Sequence, residues 1–182
     1  MSSLGESFYI LTPKPQVISQ VQKWINDQNK TWIEGTIKNG VQSNRNSKIS
    51  WLEHNNTIYE LLRNAVNKGN KNAGWNYNIT TQQLFQYTEY NIGDYYNWHL
   101  DTLITPNLGI RKISFIMLLN DDYEGGELYI EMGPPDDPNR IRKINLKVGD
   151  ILLFPSNTWH KVDSVTKGQR RSLVCWYYGK PS

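Results

Sequence analysis

The chain has 182 residues, a net charge of +3 and 38% apolar residues, a length that fits one domain with a buried core. Its basic residues fall in short scattered pairs, Arg111-Lys112, Arg142-Lys143 and Arg170-Arg171. That excludes a nucleic-acid-binding arm and makes the pairs read as solvated surface. A single cysteine, Cys175, excludes an internal disulfide, and no apolar run reaches the length of a membrane-spanning helix.

The first ten residues show neither the basic stretch nor the apolar core of a signal peptide. With the unpaired thiol, the expectation is a cytoplasmic, reducing compartment. Phe8–Leu11 reads as a strand broken by Pro13 and Pro15. From Pro15 the spacing of Val17, Val21, Trp24 and Ile25 predicts a helix to about Gln28. Trp32 to Ser50, polar and punctuated by Gly35 and Gly40, reads as strand, loop, strand with a mobile middle. Ile58, Leu61, Leu62, Ala65 and Val66 predict a second helix from Thr57 to Lys68, capped by Asn56 or Thr57 and closed by Gly69. His54, just before it, belongs to no ligand pattern.

After Asn78 the pattern turns to strands: Gln82–Tyr90, Arg111–Leu119, Glu127–Met132, Arg140–Leu146, Asp150–Phe154, His160–Val165 and Arg170–Tyr178, separated by glycine- and proline-rich turns. Alternation puts Ser114, Ile116 and Leu118 on one face and Ile113, Phe115, Met117 and Leu119 on the other. In the last strand Arg170, Ser172, Val174 and Trp176 share a face, with Arg171, Leu173, Cys175 and Tyr177 opposite. Both faces are mostly apolar, so one should meet a second sheet and the other the helices. The prediction is a mainly β chain, a sandwich or barrel with N-terminal helices packed on one sheet. It is one domain, its helical part spanning about 1–80 and its β core about 81–180.

His99-x-Asp101 sets an imidazole and a carboxylate one residue apart, able to reach one metal ion from a strand end or tight turn. The only histidine downstream is His160. Two imidazoles and one carboxylate, with other positions open, suit a non-haem Fe(II) that activates dioxygen.

The set Tyr90-x-x-Gly93-x-x-Tyr96-x-x-His99-x-Asp101, Gly125-Gly126-Glu127-Leu128, Gly149-Asp150-x-x-x-Phe154-Pro155, His160-x-Val162 and Arg170 with Trp176 follows in order. With it, the segment from about Gln82 to Tyr178 resembles the Fe(II)/2-oxoglutarate-dependent oxygenases, and within them the prolyl 4-hydroxylase and PKHD-type hydroxylases. The resemblance implies a double-stranded β-helix (jelly-roll) core that uses Fe(II), 2-oxoglutarate and dioxygen, with ascorbate as an accompanying reductant. It implies hydroxylation of a prolyl residue in a protein or peptide, with release of succinate and CO2.

His99, Asp101 and His160 would then be the metal ligands and catalytic centre, and Arg170 would hold the far carboxylate of the cosubstrate. Arg171 would face solvent. Ser114 would be a second donor to that carboxylate. Ile116, Leu118 and Val162 would form dry walls; many prolyl hydroxylases carry a tyrosine where Leu118 stands. Tyr90 would contact the cosubstrate, and Tyr96, Trp98 and Trp176 the substrate. Competing readings are hydroxylation of a free amino acid and nucleic-acid dealkylation on the same scaffold. The dealkylases tend to carry a second arginine where this chain has Trp176. A non-catalytic jelly-roll binding module is the third.

Overall fold

The computed structural model describes residues 5–35, 37–39 and 42–181. In chain order its elements are β1 (Tyr9–Leu11), α1 (Pro15–Asn26), β2 (Ile33–Glu34), β3 (Ile37–Asn39), β4 (Gln42–Asn46), β5 (Lys48–Trp51) and α2 (Asn56–Asn72). Then follow β6 (Ile79–Gln82), β7 (Gln86–Tyr90), β8 (Tyr95–His99), β9 (Ile104–Thr105), β10 (Gly109–Leu118), β11 (Tyr123–Gly125) and β12 (Leu128–Glu131). The last are β13 (Ile141–Ile144), β14 (Ile151–Pro155), β15 (His160–Val162), β16 (Val165–Gly168) and β17 (Arg170–Gly179).

A major sheet runs β1-β14-β10-β17-β7-β5-β2, with β6 on β17 and β9 on β10; a minor sheet runs β13-β12-β15-β8-β4-β3. Together they form the jelly roll expected from the sequence. The two apolar faces of β10 separate as alternation requires. Ile113, Phe115 and Met117 join Leu173, Cys175 and Tyr177 under the helices, packed against Val21, Trp24, Ile58 and Leu62. Ile116 turns into the second core, between the sheets, with Leu128, Ile130, Leu152, Phe154 and Val162. No helix among the described residues is long and apolar enough to cross a membrane.

The second helix differs from expectation at both ends. Asn55 is its cap, its side chain accepting from the Ile58 N–H at 3.0 Å. Gly69, expected to close it, lies inside it, and Ala73 is the C-cap. A Cβ on Gly69 would come within 2.4 Å of Leu153 Cδ1. The glycine is there to let the helix approach β14, and the helix runs on past it. The predicted strand 82–90 is broken between β6 and β7, where the Gln83 N–H donates to the Trp176 carbonyl and Phe85 is fully buried. The segment 32–50 carries β2 to β5; the middle expected to be mobile, around Gly40, lies outside the described residues.

Candidate metal centre and active site

β8 ends on His99, and β15 begins on His160 beside it. Along this pair His160 stands opposite His99, but Val162 stands opposite Tyr96. One extra residue on β8 makes a bulge, which turns Tyr96 and His99 to the same side. Their rings stack with centroids 3.4 Å apart and planes 8° from parallel. Beyond the strand the Asp101 N–H donates to the Ser156 carbonyl at 2.9 Å, which swings the Asp101 carboxylate back between the two histidines. His99 Nε2 lies 3.4 Å from its Oδ1 and His160 Nε2 3.4 Å from its Oδ2. One ligand atom from each of the three residues lies within 4.8 Å of the others.

Neighbouring groups set the direction of every ligand. His99 Nδ1 is 2.7 Å from the Asn97 carbonyl and His160 Nδ1 is 2.9 Å from the Thr158 carbonyl. A carbonyl only accepts, so each Nδ1 carries the proton and each Nε2 lone pair faces the ion site. Ser114 Oγ donates to Asp101 Oδ2 at 2.8 Å and lies 3.0 Å from Ser156 Oγ. Burial opposes charge on Asp101, yet the two histidines outweigh it and hold the carboxyl well below its usual range. Burial pushes His99 down. His160, which burial would also lower, is pulled up by the same carboxylate. A dry anion between two imidazole lone pairs is a cation site. Its N2O donor set, on one side only, fits non-haem Fe(II) with positions left for a bidentate ligand.

Arg170 opens β17 from inside the jelly roll and is only 3% exposed. Its guanidinium lies 5.6 Å from the Tyr90 ring centre and 3.4 Å from Ser172 Oγ, and its Nε has no partner. Among the described residues no carboxylate pairs with it. A buried, unmatched guanidinium fits an incoming carboxylate, which it can bind bidentately. The glycine pair supplies the room: a Cβ on Gly126 would sit 3.1 Å from Arg170 Cδ. Beside it is a cavity of about 410 Å³ whose lining includes Leu118, Tyr123, Leu128, Lys143 and Arg170. Arg171 turns the other way and bonds Gln169.

Most of the remaining candidates gather in the same interior. Ile116 and Val162 lie in the core between the sheets, and Leu118 lines the Arg170 cavity. Tyr90 pairs with Arg170 across β7 and β17. Tyr96 and Trp176 line a second cavity, about 310 Å³, together with Asp101.

Two expectations are corrected. Ser114 does not stand beside Arg170. It pairs with Trp176, whereas Ser172, two residues past Arg170, pairs with Leu118. Ser114 is therefore level with the metal ligands and fixes Asp101. Trp98 does not face the mouth: the bulge in β8 leaves it on the outer face of the minor sheet, where Lys161 lies over it and over Tyr129. His54 packs against Tyr59 and bonds Asn56.

Two residues at the mouth escaped the sequence reading. Arg111 looked like half of a surface pair. A register shift between Arg111 and Ile113 breaks the alternation of β10, and Arg111 lies over the Trp176 ring at 3.9 Å. Arg45, in a stretch that read as loop, is 8% exposed and lies over the Tyr96 ring at 4.7 Å. Period-two patterning carries no signal for either.

Residues 85–178 match the 2OG-Fe(II) oxygenase superfamily. The chain is 31% identical over 145 residues to a PKHD-type hydroxylase of Prochlorococcus marinus, covering 77% of this chain and 59% of that protein. It is 25% identical over 169 residues to a PKHD-type hydroxylase of Psychrobacter sp., covering 87% and 63%. It thus spans about three fifths of the length of these relatives. Among solved structures its fold is similar to that of a prolyl hydroxylase from Trichoplax adhaerens, in complex with a hypoxia inducible factor oxygen degradation domain peptide fragment. The TM-score is 0.71 at 22% identity, with 95% of this chain and 84% of that one covered.

Proposed function

Because this chain belongs to the 2OG-Fe(II) oxygenase superfamily, we propose that it hydroxylates a prolyl residue in a protein or peptide, converting 2-oxoglutarate to succinate and CO2. The family uses Fe(II), 2-oxoglutarate and dioxygen; dioxygen is the oxidant, one of its atoms going to succinate as 2-oxoglutarate loses CO2 and the other turning C–H into C–OH, and iron, when bound, would supply the centre at which this happens. What the chain contributes is position and dryness. His99, Asp101 and His160 hold the ion from one side, with both imidazoles oriented by backbone carbonyls and Asp101 by Ser114. Arg170 takes the far carboxylate of 2-oxoglutarate, with the Tyr90 ring beneath it. Ile116, Leu118 and Val162 keep water from the space between. Tyr96 and Trp176 border the opening through which the substrate reaches the ion.

The observation that carries this reading is the pairing, inside the same jelly roll, of a one-sided His-Asp-His cluster with a dry guanidinium that has no carboxylate partner among the described residues. Hydroxylation is supported by the PKHD-type hydroxylase relatives, and the prolyl target by the peptide-bound prolyl hydroxylase of similar fold. The test is succinate formation from 2-oxoglutarate with proline-containing peptides, and a peptide mass increase of one oxygen atom located on proline. Both should require Fe(II) and vanish in Asp101→Ala. Undiminished turnover in that variant refutes the metal assignment. Oxygen found only on other residues refutes the prolyl one.

A further inference from the structure

The cavity at the mouth of the ion site, about 310 Å³, is lined by two guanidiniums, Arg45 and Arg111, and by the rings of Trp51 and Trp176. The acidic side chain in its lining is Asp101. Both oxygens of that carboxylate already face the histidines and Ser114, so it is committed to the ion. What remains for an incoming molecule is a positively charged, aromatic opening. Leu100 and Leu103 extend it as an apolar rim, 40% and 46% exposed.

Arg111 is held rigidly in this opening. Its Nε donates to Tyr178 Oη at 3.1 Å, one Nη to the Asp101 carbonyl at 3.4 Å and the other to Gln83 Oε1 at 3.0 Å. Tyr178 Oη in turn donates to the same Gln83 oxygen at 3.2 Å. The guanidinium plane lies against Trp176, 3.9 Å from its ring. Every one of these acceptors is a neutral oxygen. A guanidinium has five N–H groups and three are used, which leaves two. The group is thus pinned by its surroundings, half-buried, next to a metal ligand, and has no counter-charge in its contacts. Arg45 lines the same cavity, over the Tyr96 ring that stacks on His99.

We propose that this mouth selects a substrate carrying a carboxylate next to the residue that is oxidised, with Arg111 as its receptor and the Trp51 and Trp176 rings against the apolar part. This inference rests on the oxygenase reading above and adds the substrate class to it. A pre-positioned guanidinium whose partners are all neutral suits a carboxylate because two parallel N–H···O bonds form with little ordering of the protein. A peptide with only neutral groups leaves that charge unmatched, and a lysine beside the target meets the like charge of Arg111. The carboxylate has two sources: an aspartate or glutamate side chain flanking the oxidised residue, or the terminal carboxylate of a short peptide or free amino acid.

The experiment separates them. The full chain is loaded with Mn(II) and 2-oxoglutarate, so that no turnover occurs, and titrated with short peptides centred on proline while tryptophan fluorescence is followed. Acetylated, amidated peptides carry Ala, Lys, Asp or Glu beside the proline. A further arm carries Ala with a free C-terminus, and another is L-proline alone. The expected result is binding about tenfold tighter for one carboxylate-bearing arm than for the neutral amidated peptide, with the Lys peptide weakest. The Asp and Glu arms identify a flanking side chain; the free-terminus and proline arms identify a terminal carboxylate.

The preference should shrink to about twofold or less in Arg111→Gln and be retained in part by Arg111→Lys, which keeps charge without the fork. It should also weaken toward about 0.5 M salt. Equal, absent or lysine-favouring binding across the panel overturns the proposal, as does a carboxylate preference intact in Arg111→Gln. Succinate formed by the same protein with Fe(II) and 2-oxoglutarate distinguishes that failure from failure of the oxygenase reading.

Discussion

Replacing Arg170 with methionine should leave the free protein as stable as before, or more so, while removing most of its response to 2-oxoglutarate. Arg170 is 3% exposed, its Nε is unsatisfied, and its contacts are one serine hydroxyl and the face of Tyr90. A buried polar group without a partner costs roughly 1–3 kcal/mol. Exchanging a buried charge for an apolar side chain of similar volume is typically neutral or stabilising by about 1–4 kcal/mol. In the wild type, cosubstrate at about 100 times its dissociation constant should add about 2.7 kcal/mol. For a chain of this size that raises Tm by roughly 5–10 °C. In Arg170→Met the charge-assisted pair is gone, a loss of about 2–5 kcal/mol in binding, so the shift at the same concentration should fall to about a third of its size or less. The assay is thermal unfolding of both proteins in Mn(II), with and without 2-oxoglutarate. A variant that unfolds far below the wild type without cosubstrate, or one that keeps the cosubstrate shift, refutes the assignment of Arg170 as an anion receptor held in reserve.

Ser114→Ala should weaken Mn(II) binding about tenfold, followed by electron paramagnetic resonance titration, because Asp101 Oδ2 loses the donor that orients it. A cosubstrate defect with metal affinity intact would instead return Ser114 to the position expected from sequence. Gly126→Ala should destabilise the protein by roughly 2–4 kcal/mol in urea. Its φ is +62°, and the added Cβ meets Val165 Cγ2 at 3.0 Å and Arg170 Cδ at 3.1 Å; the KM for 2-oxoglutarate should rise with it. Cys175 is fully buried, and burial pushes its thiol well above the ordinary range. The native protein should therefore resist alkylation at pH 8 and react once unfolded, as read by intact mass; fast labelling of the folded protein would contradict that burial.

Much of this protein is determined by local sequence. The apolar stripe of α2 and the alternation of β10 and β17 specify which faces are buried. They correctly separate Phe115 from Ile116, which the structure then places under the helices with Cys175 and between the sheets respectively, because burial acts residue by residue along a regular element. His99, Asp101 and His160 are also legible, since a donor set of that kind has few other uses. Irregularity is what the sequence leaves open. The bulge in β8 decides that Tyr96 faces His99 and Trp98 faces out. The shift in β10 brings Arg111 over Trp176. Each moves side chains to the opposite face by one residue, and its cause lies in the pairing of distant strands. The level of Ser114, with Asp101 and far from Arg170, is set by the register of β10 against β17. The tertiary structure alone decides that register, because an intact period-two pattern looks the same after every shift of two residues.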